Sequence, residues 1–270
     1  MQERHTITHF VCGISAVMLV RYRATCVDPL LAGVFVLAAL ANGAAGITGF
    51  GVGTILIPIL MLHIDVPTAL AVITVPHAVA SAIRLWRMRF DVEPKLALPF
   101  CVAGGAGALV GTSTHALGWS ITSVAFAATF VLAIAPGLFS PRSSSAIASS
   151  RGAWLGGVAS GLVGAIAGSQ GALRFAVLER VGAPTWSYVA TASAAAVAID
   201  LVRLPAMLLL SDVNLGNQIP LIAAATSGVL VGDVLSERLT GRIPRRWLAR
   251  VESIVAVGLS ALFLFRLTRS

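Results

Sequence analysis

The sequence predicts an all-α integral membrane protein built from two four-segment repeats of inverted orientation, each opening with a Gly-broken or re-entrant helix. Three observations predict it. Hydrophobic residues make up 57% of the 270 positions and charged residues 11%, with a mean hydropathy of +0.90, so there is too little polar surface to coat a soluble globule of this length. The apolar runs reach about 18 residues or more, which suits helices crossing roughly 30 Å of hydrocarbon, and nothing shows the alternation of a barrel strand. Two apolar stretches, 43–58 and 161–176, are loaded with glycine, and Gly43, Gly46 and Gly53 fall opposite Gly161, Gly164 and Gly171 at a distance of 118 residues. Paired interruptions of this kind mark the binding site in many secondary transporters.

Residues 1–26 read as an N-terminal extension. Arg4, the apolar run Phe10–Val20, then Arg21 and Arg23 suit a short or amphipathic helix and lack a small-x-small cleavage site. His5 and His9 stand at i, i+4 without a third ligand nearby, so no metal is expected there. The first repeat occupies 27–139, with segments at about 28–62, 67–88, 95–116 and 119–138 parted by turn chemistry at His63–Pro67, Asp91–Pro94 and Gly118. The serine-rich stretch 140–151, with Pro141, is a linker inside one membrane domain. The second repeat, 152–270, carries segments at about 152–181, 185–211, 217–236 and 247–266, making about eight in all. The first and fifth are the long ones, roughly 35 and 30 residues against about 20 needed to span, so each has room for two half-helices.

The formal charge of +8 comes from 18 Arg and Lys95 against 11 acids. In such a chain basic charge sets orientation and grips anionic lipid, so the lipid bilayer is the expected partner and nucleic acid is not. With all eight segments crossing once, ten basic residues fall inside and six outside, and the most basic loop, 238–250, lands outside. Letting the first and fifth segments dip in and return gives twelve inside and four outside, and inverts the repeats. Cys12, Cys26 and Cys101 are odd in number and scattered, which suits small buried side chains and neither a disulfide framework nor a metal site.

Gly49, Gly51 and Gly53 put glycine on more than one face of a helix, which contact with a single neighbour does not require. Unwinding with φ > 0 and exposed N–H groups does require it. The candidate substrate-binding stretches are therefore Gly49, Phe50, Gly51, Gly53 and Thr54 in the first half, and Gly168, Ser169, Gln170 and Gly171 in the second. A helix restarting after a break offers free donors and a positive dipole end, so two facing breaks suit a small anion. Other glycines at fourfold spacing, Gly107 and Gly111, Gly157 and Gly161, Gly228 and Gly232, read as helix contacts.

Charges inside apolar segments are costly and usually functional. Arg174 has no acid nearer in sequence than Glu179 and is read as an anion contact, with snorkelling to the cytoplasmic surface left open. Arg203 can pair with Asp200 at i, i+3. Arg84, beside Trp86 and Arg87, reads as an interfacial anchor, and Asp233 and Glu237 as solvated edge charges that pair with Arg238 or Arg242. Thr74, His77 and Ser81 share one helical face, and His77, following Pro76, is read as a satisfied buried histidine, a substrate contact or a proton carrier.

The run Gly49-Phe50-Gly51-Val52-Gly53-Thr54-Ile55-Leu56-Ile57-Pro58, followed by Val66-Pro67-Thr68-Ala69-Leu70-Ala71, resembles the first repeat of the sulfite exporter TauE/SafE family of membrane permeases. Ser160-Gly161-Leu162-Val163-Gly164 with the break at 168–171 resembles its second, and the likeness covers about 30–267. The resemblance implies transport of small sulfur-containing or organic anions such as sulfite, sulfonates or thiosulfate. The chain departs from the family pattern at Phe50 and Val52, at Arg174, and at Ile73 and Thr74 in the second helix.

The expected protein is thus a multi-pass secondary transporter or exporter of the inner cell membrane, binding its anion at mid-depth and working by alternating access. No cofactor is expected, and no phosphate loop for ATP is present in the sequence. Proton or sodium coupling and a homo-oligomer remain open. So does a passive anion channel. A membrane-embedded enzyme would need a nucleophile and a base at depth; Ser169 and Gln170 beside a glycine turn invite that reading, but His77 is the only histidine placed there.

Overall fold

A computed structural model describes residues 28–48, 52–117, 150–168, 185–211 and 213–239, with positions 170, 171, 174, 178, 242, 247, 251, 254 and 258. The extension 1–26, the segment 119–138, most of the linker and most of 247–266 lie outside the described residues. Seven helices are described: α1 (Pro29–Thr48), α2 (Val52–Leu60), α3 (Val66–Arg87), α4 (Pro94–Ser113), α5 (Ser150–Ala167), α6 (Thr185–Leu210) and α7 (Ile219–Leu239). All regular structure among the described residues is helical. Five stretches are long and apolar enough to cross a membrane: Pro29–Thr48, Val66–Arg87, Pro94–Ser113, Ser187–Leu210 and Leu215–Leu239.

Helix starts follow local chemistry. The Asp28 carboxylate accepts from Leu30 N at 2.9 Å, and Pro29 opens α1. Asp65 caps α3 by accepting from Thr68 N at 3.0 Å, with Pro67 in the first turn. Pro94 opens α4, where the Thr191 hydroxyl of α6 accepts from Glu93 N at 3.0 Å and ties the turn to a neighbouring helix. Before α7 the Asn214 side chain accepts from Gly216 N at 2.9 Å and starts a short 3₁₀ turn, Leu215–Gln218.

The first long segment is two helices. α1 ends at Thr48 and α2 begins at Val52, on either side of the undescribed residues 49–51. The fifth is likewise broken: α5 ends at Ala167, Gly168 adopts φ 70°, and helix resumes at 170 and 171. That φ is the left-handed region, which glycine enters without a Cβ penalty. A Cβ there would also come 2.8 Å from Leu70 Cδ2 and collide with Ile57 Cδ1.

Packing crosses between the halves. α1 lies along α7, α5 lies along α4, and α3 packs on α6 between them. The fourfold glycines fall where expected. Gly157 and Gly161 of α5 press on the Phe100 and Gly104 backbone of α4, and Gly228 and Gly232 of α7 press on the Phe35 and Ala39 carbonyls of α1. Such contacts let backbones approach closely where lipid offers no hydrophobic drive to associate. A dry core of Leu56, Leu60, Leu70, Ile73, Ala225 and Val229 joins α2, α3 and α7.

One arrangement occurs twice. The last four carbonyls of a helix lack intrahelical partners, and in lipid they must find donors elsewhere. Arg84 of α3 donates from Nη1 to Ala45 O, four residues from the end of α1, at 3.2 Å. Arg203 of α6 donates from Nη1 to Gly164 O, in the last turn of α5, at 2.7 Å, and that carbonyl also accepts from Gly168 N at 2.8 Å. In both cases the arginine lies 39 residues beyond its acceptor. Arg84 and Arg203 are 119 residues apart, as are Thr48 and Ala167 at the helix ends and Val66 and Thr185 at the helix starts. This spacing is one residue longer than that of the glycines.

Candidate functional site

The two breaks meet. A Cβ on Gly53 would stand 2.8 Å from the Gly168 carbonyl oxygen, so the start of α2 rests on the turn that ends α5. Around this junction α3, α6 and the resumed fifth segment bring together His77, Gln170, Arg174, Asp200 and Arg203.

Asp200 is the hub. Its Oδ2 lies 2.5 Å from His77 Nδ1, and its Oδ1 accepts from Gln170 Nε2 at 2.9 Å and from Arg203 Nη2 at 3.0 Å. The carboxylate fixes the Gln170 amide with its nitrogen inward, because the reverse would set oxygen against oxygen. Ser160 Oγ donates to the Gln170 carbonyl at 3.1 Å and holds the turn from the α5 side. The i, i+3 pairing of Asp200 with Arg203 is therefore made, and Arg203 serves the backbone of the break as well.

Arg174 differs from both. Only 1% of its surface is exposed, which excludes the snorkelling reading, and its Nε and Nη1 have no hydrogen-bond partner among the described residues. It lies within Coulombic range of Asp200, Tyr188, Arg84 and Arg203. Gln170, also 1% exposed, leaves its Oε1 unpartnered among the described residues. Positions 170 and 174 are helical at i, i+4 and therefore share a face, so an orphan acceptor and orphan donors are set one turn apart. Unpaired buried donors of this kind are expensive.

The other expected site residues divide as follows. Gly53, Thr54, Gly168 and Gly171 are buried at or beside the breaks. Thr74 is fully buried, and its hydroxyl donates to Leu70 O at 2.7 Å, one turn back in its own helix. Gly49, Phe50, Gly51 and Ser169 lie outside the described residues.

Two readings of charge need correction. Arg84 is not an interfacial anchor: it is 6% exposed, it donates to Asn42 Oδ1 as well as Ala45 O, and its Nε lies 3.7 Å from Asp233. Asp233 is not a solvated edge charge. It is 2% exposed and meets Arg87 Nη1 at 2.5 Å, and the same nitrogen donates to Glu237 at 2.6 Å. These pairs join residues 146 and 150 positions apart, so the partners Arg238 and Arg242, the nearest in sequence, are replaced by one that only the fold brings near. Asn42 was missed as a polar member. It donates to Val229 O at 2.6 Å and accepts from Arg84, and an amide inside an apolar segment is the signal that marks it.

An apolar helical bundle that buries a cationic cluster at the junction of two helix breaks defines a multi-pass membrane protein with an internal polar site. The family model of the sulfite exporter TauE/SafE matches residues 34–263, so the chain belongs to that family of membrane transport proteins. Comparison with curated proteins and with solved structures returns no match.

Proposed function

We propose that the protein is a secondary transporter of small sulfur oxyanions or sulfonates, binding them beside Arg174 where the two broken helices meet. The observation that carries this reading is a buried guanidinium with two nitrogens that have no hydrogen-bond partner among the described residues. An oxyanion would accept from Arg174, and backbone donors at the restarting helices would add to it. The 119-residue recurrence of helix ends and arginine clasps supports two inverted repeats related by a pseudo-two-fold axis. Alternating access then follows from movement of one repeat against the other. A negative-inside potential favours export of an anion by about 2.3 kcal/mol per charge per 100 mV, so no ATP is required.

Counterflow in proteoliposomes tests this. Sulfite, thiosulfate, sulfoacetate and taurine are offered to vesicles carrying the wild type or Arg174→Gln. Saturable counterflow of at least one anion, lost in the variant, supports the reading. Flux that never saturates and shows no counterflow identifies a channel.

A further inference from the structure

We propose that the site moves one net negative charge per turnover, taking either a monoanion alone or a dianion together with one proton on His77. This rests on the anion site proposed above and concerns the charge state that the site accepts. The count comes from the groups facing one another. From α3 comes His77; from α6, Asp200 and Arg203; from the resumed fifth segment, Gln170 and Arg174; Tyr188 of α6 and Arg84 of α3 lie within range of Arg174, and Arg84 is balanced by Asp233 of α7. Among the described residues Asp200 is the one carboxylate of this group, facing two guanidinium groups. With a neutral imidazole one positive charge is left over, and with imidazolium two. A surplus charge buried in a membrane protein is unfavourable until an opposite charge neutralises it. A monoanion balances the first state. A dianion balances only the second.

The proton has a defined place. Asp200 Oδ2 accepts from His77 Nδ1, so Nδ1 carries hydrogen and Nε2 keeps its lone pair. The second carboxylate oxygen is already occupied by Gln170 and Arg203. A proton from water therefore adds to Nε2, and the imidazolium keeps its Nδ1–H on Asp200. Access agrees: 12% of the His77 side chain is exposed, against none for Asp200 and 2% for Arg203. His77 is the least buried of these three side chains. His115, with its ring nitrogen on Ala165 O, follows α4 and makes no bond to the cluster.

Two anions of fixed charge test the rule in proteoliposomes at pH 7.5. Methanesulfonate is a monoanion there and sulfoacetate a dianion. Membrane potential is set with potassium and valinomycin, and lumenal pH is read with trapped pyranine. Both anions should show the voltage dependence of a single charge. Uptake of sulfoacetate should acidify the lumen by one proton per anion, and uptake of methanesulfonate should not. His77→Gln should lower the ratio of sulfoacetate to methanesulfonate flux at least tenfold; if that variant does not fold, the wild-type stoichiometry decides alone. Sulfoacetate entering with two charges and no proton overturns the charge rule and leaves the anion site standing. Failure of the folded protein to move either anion overturns both.

Discussion

Arg84 and Arg203 perform the same backbone task 119 residues apart, each donating to a carbonyl in the last turn of a broken helix, but their surroundings differ in charge. Around Arg84, the cations Arg84 and Arg87 meet the anions Asp233 and Glu237, and the count is neutral. Around Arg203 there are two cations, Arg203 and Arg174, and among the described residues a single acid, Asp200. The neutral cluster joins α1, α3 and α7 with its cations and anions matched in number. The surplus cluster leaves the Arg174 Nε and Nη1 without acceptors among the described residues. One fold element thus appears once with its counter-charge built in and once, among the described residues, without it, and the proposed anion site lies at the second.

The largest expected effect comes from the clasp itself. Arg203→Met strips Asp200 of a partner and leaves the Gly164 carbonyl with one donor fewer, and breaking a buried pair of this kind costs about 3–5 kcal/mol. Thermal unfolding in detergent should show it, and an unchanged transition would mean that the tie carries no weight. Next is Arg174→Gln. Anion affinity should fall at least ~100-fold, about 2.7 kcal/mol, while thermal stability holds or rises because two unpaired buried donors are gone. Stability falling in step with affinity would assign Arg174 to the scaffold and erase the contrast with Arg84. A smaller loss is expected for Gly168→Ala, about 1–2 kcal/mol for the left-handed φ, with more from the Ile57 and Leu70 contacts. The smallest belongs to Glu237→Gln, whose carboxylate is mostly exposed and whose pairing with Arg87 should contribute under ~1 kcal/mol by chemical denaturation.

Much of this was legible in the sequence, for reasons that can be stated residue by residue. Pro67, Pro94 and Asn214 mark helix starts because φ restriction and side-chain capping act over one turn, and the observed helices begin within a few residues of the expected segments. Gly168 was legible as a break because Gly168 and Gly171 bracket the polar pair Ser169-Gln170 in the middle of an apolar run. The hub was not. Asp200 and His77 lie 123 residues apart, and nothing local in either helix says that they face each other. The Arg84 cluster was misread for the same reason: a cation at the end of an apolar segment looks like an interfacial anchor until a distant acid is brought beneath it. The glycine register of 118 was close to the 119 of the helix ends, and the one-residue difference shows that glycines mark the break while the clasps mark the helices.

The proposed function assigns anion binding to the surplus cluster and not to the neutral one. Equilibrium binding of sulfite, thiosulfate and sulfoacetate to purified protein, measured by isothermal titration for the wild type, Arg174→Gln and Arg87→Gln, tests it most directly. At least one of these anions should bind wild type and Arg87→Gln with the same Kd and fail to bind Arg174→Gln. Binding that survives in Arg174→Gln, or that is lost equally in Arg87→Gln, would contradict it.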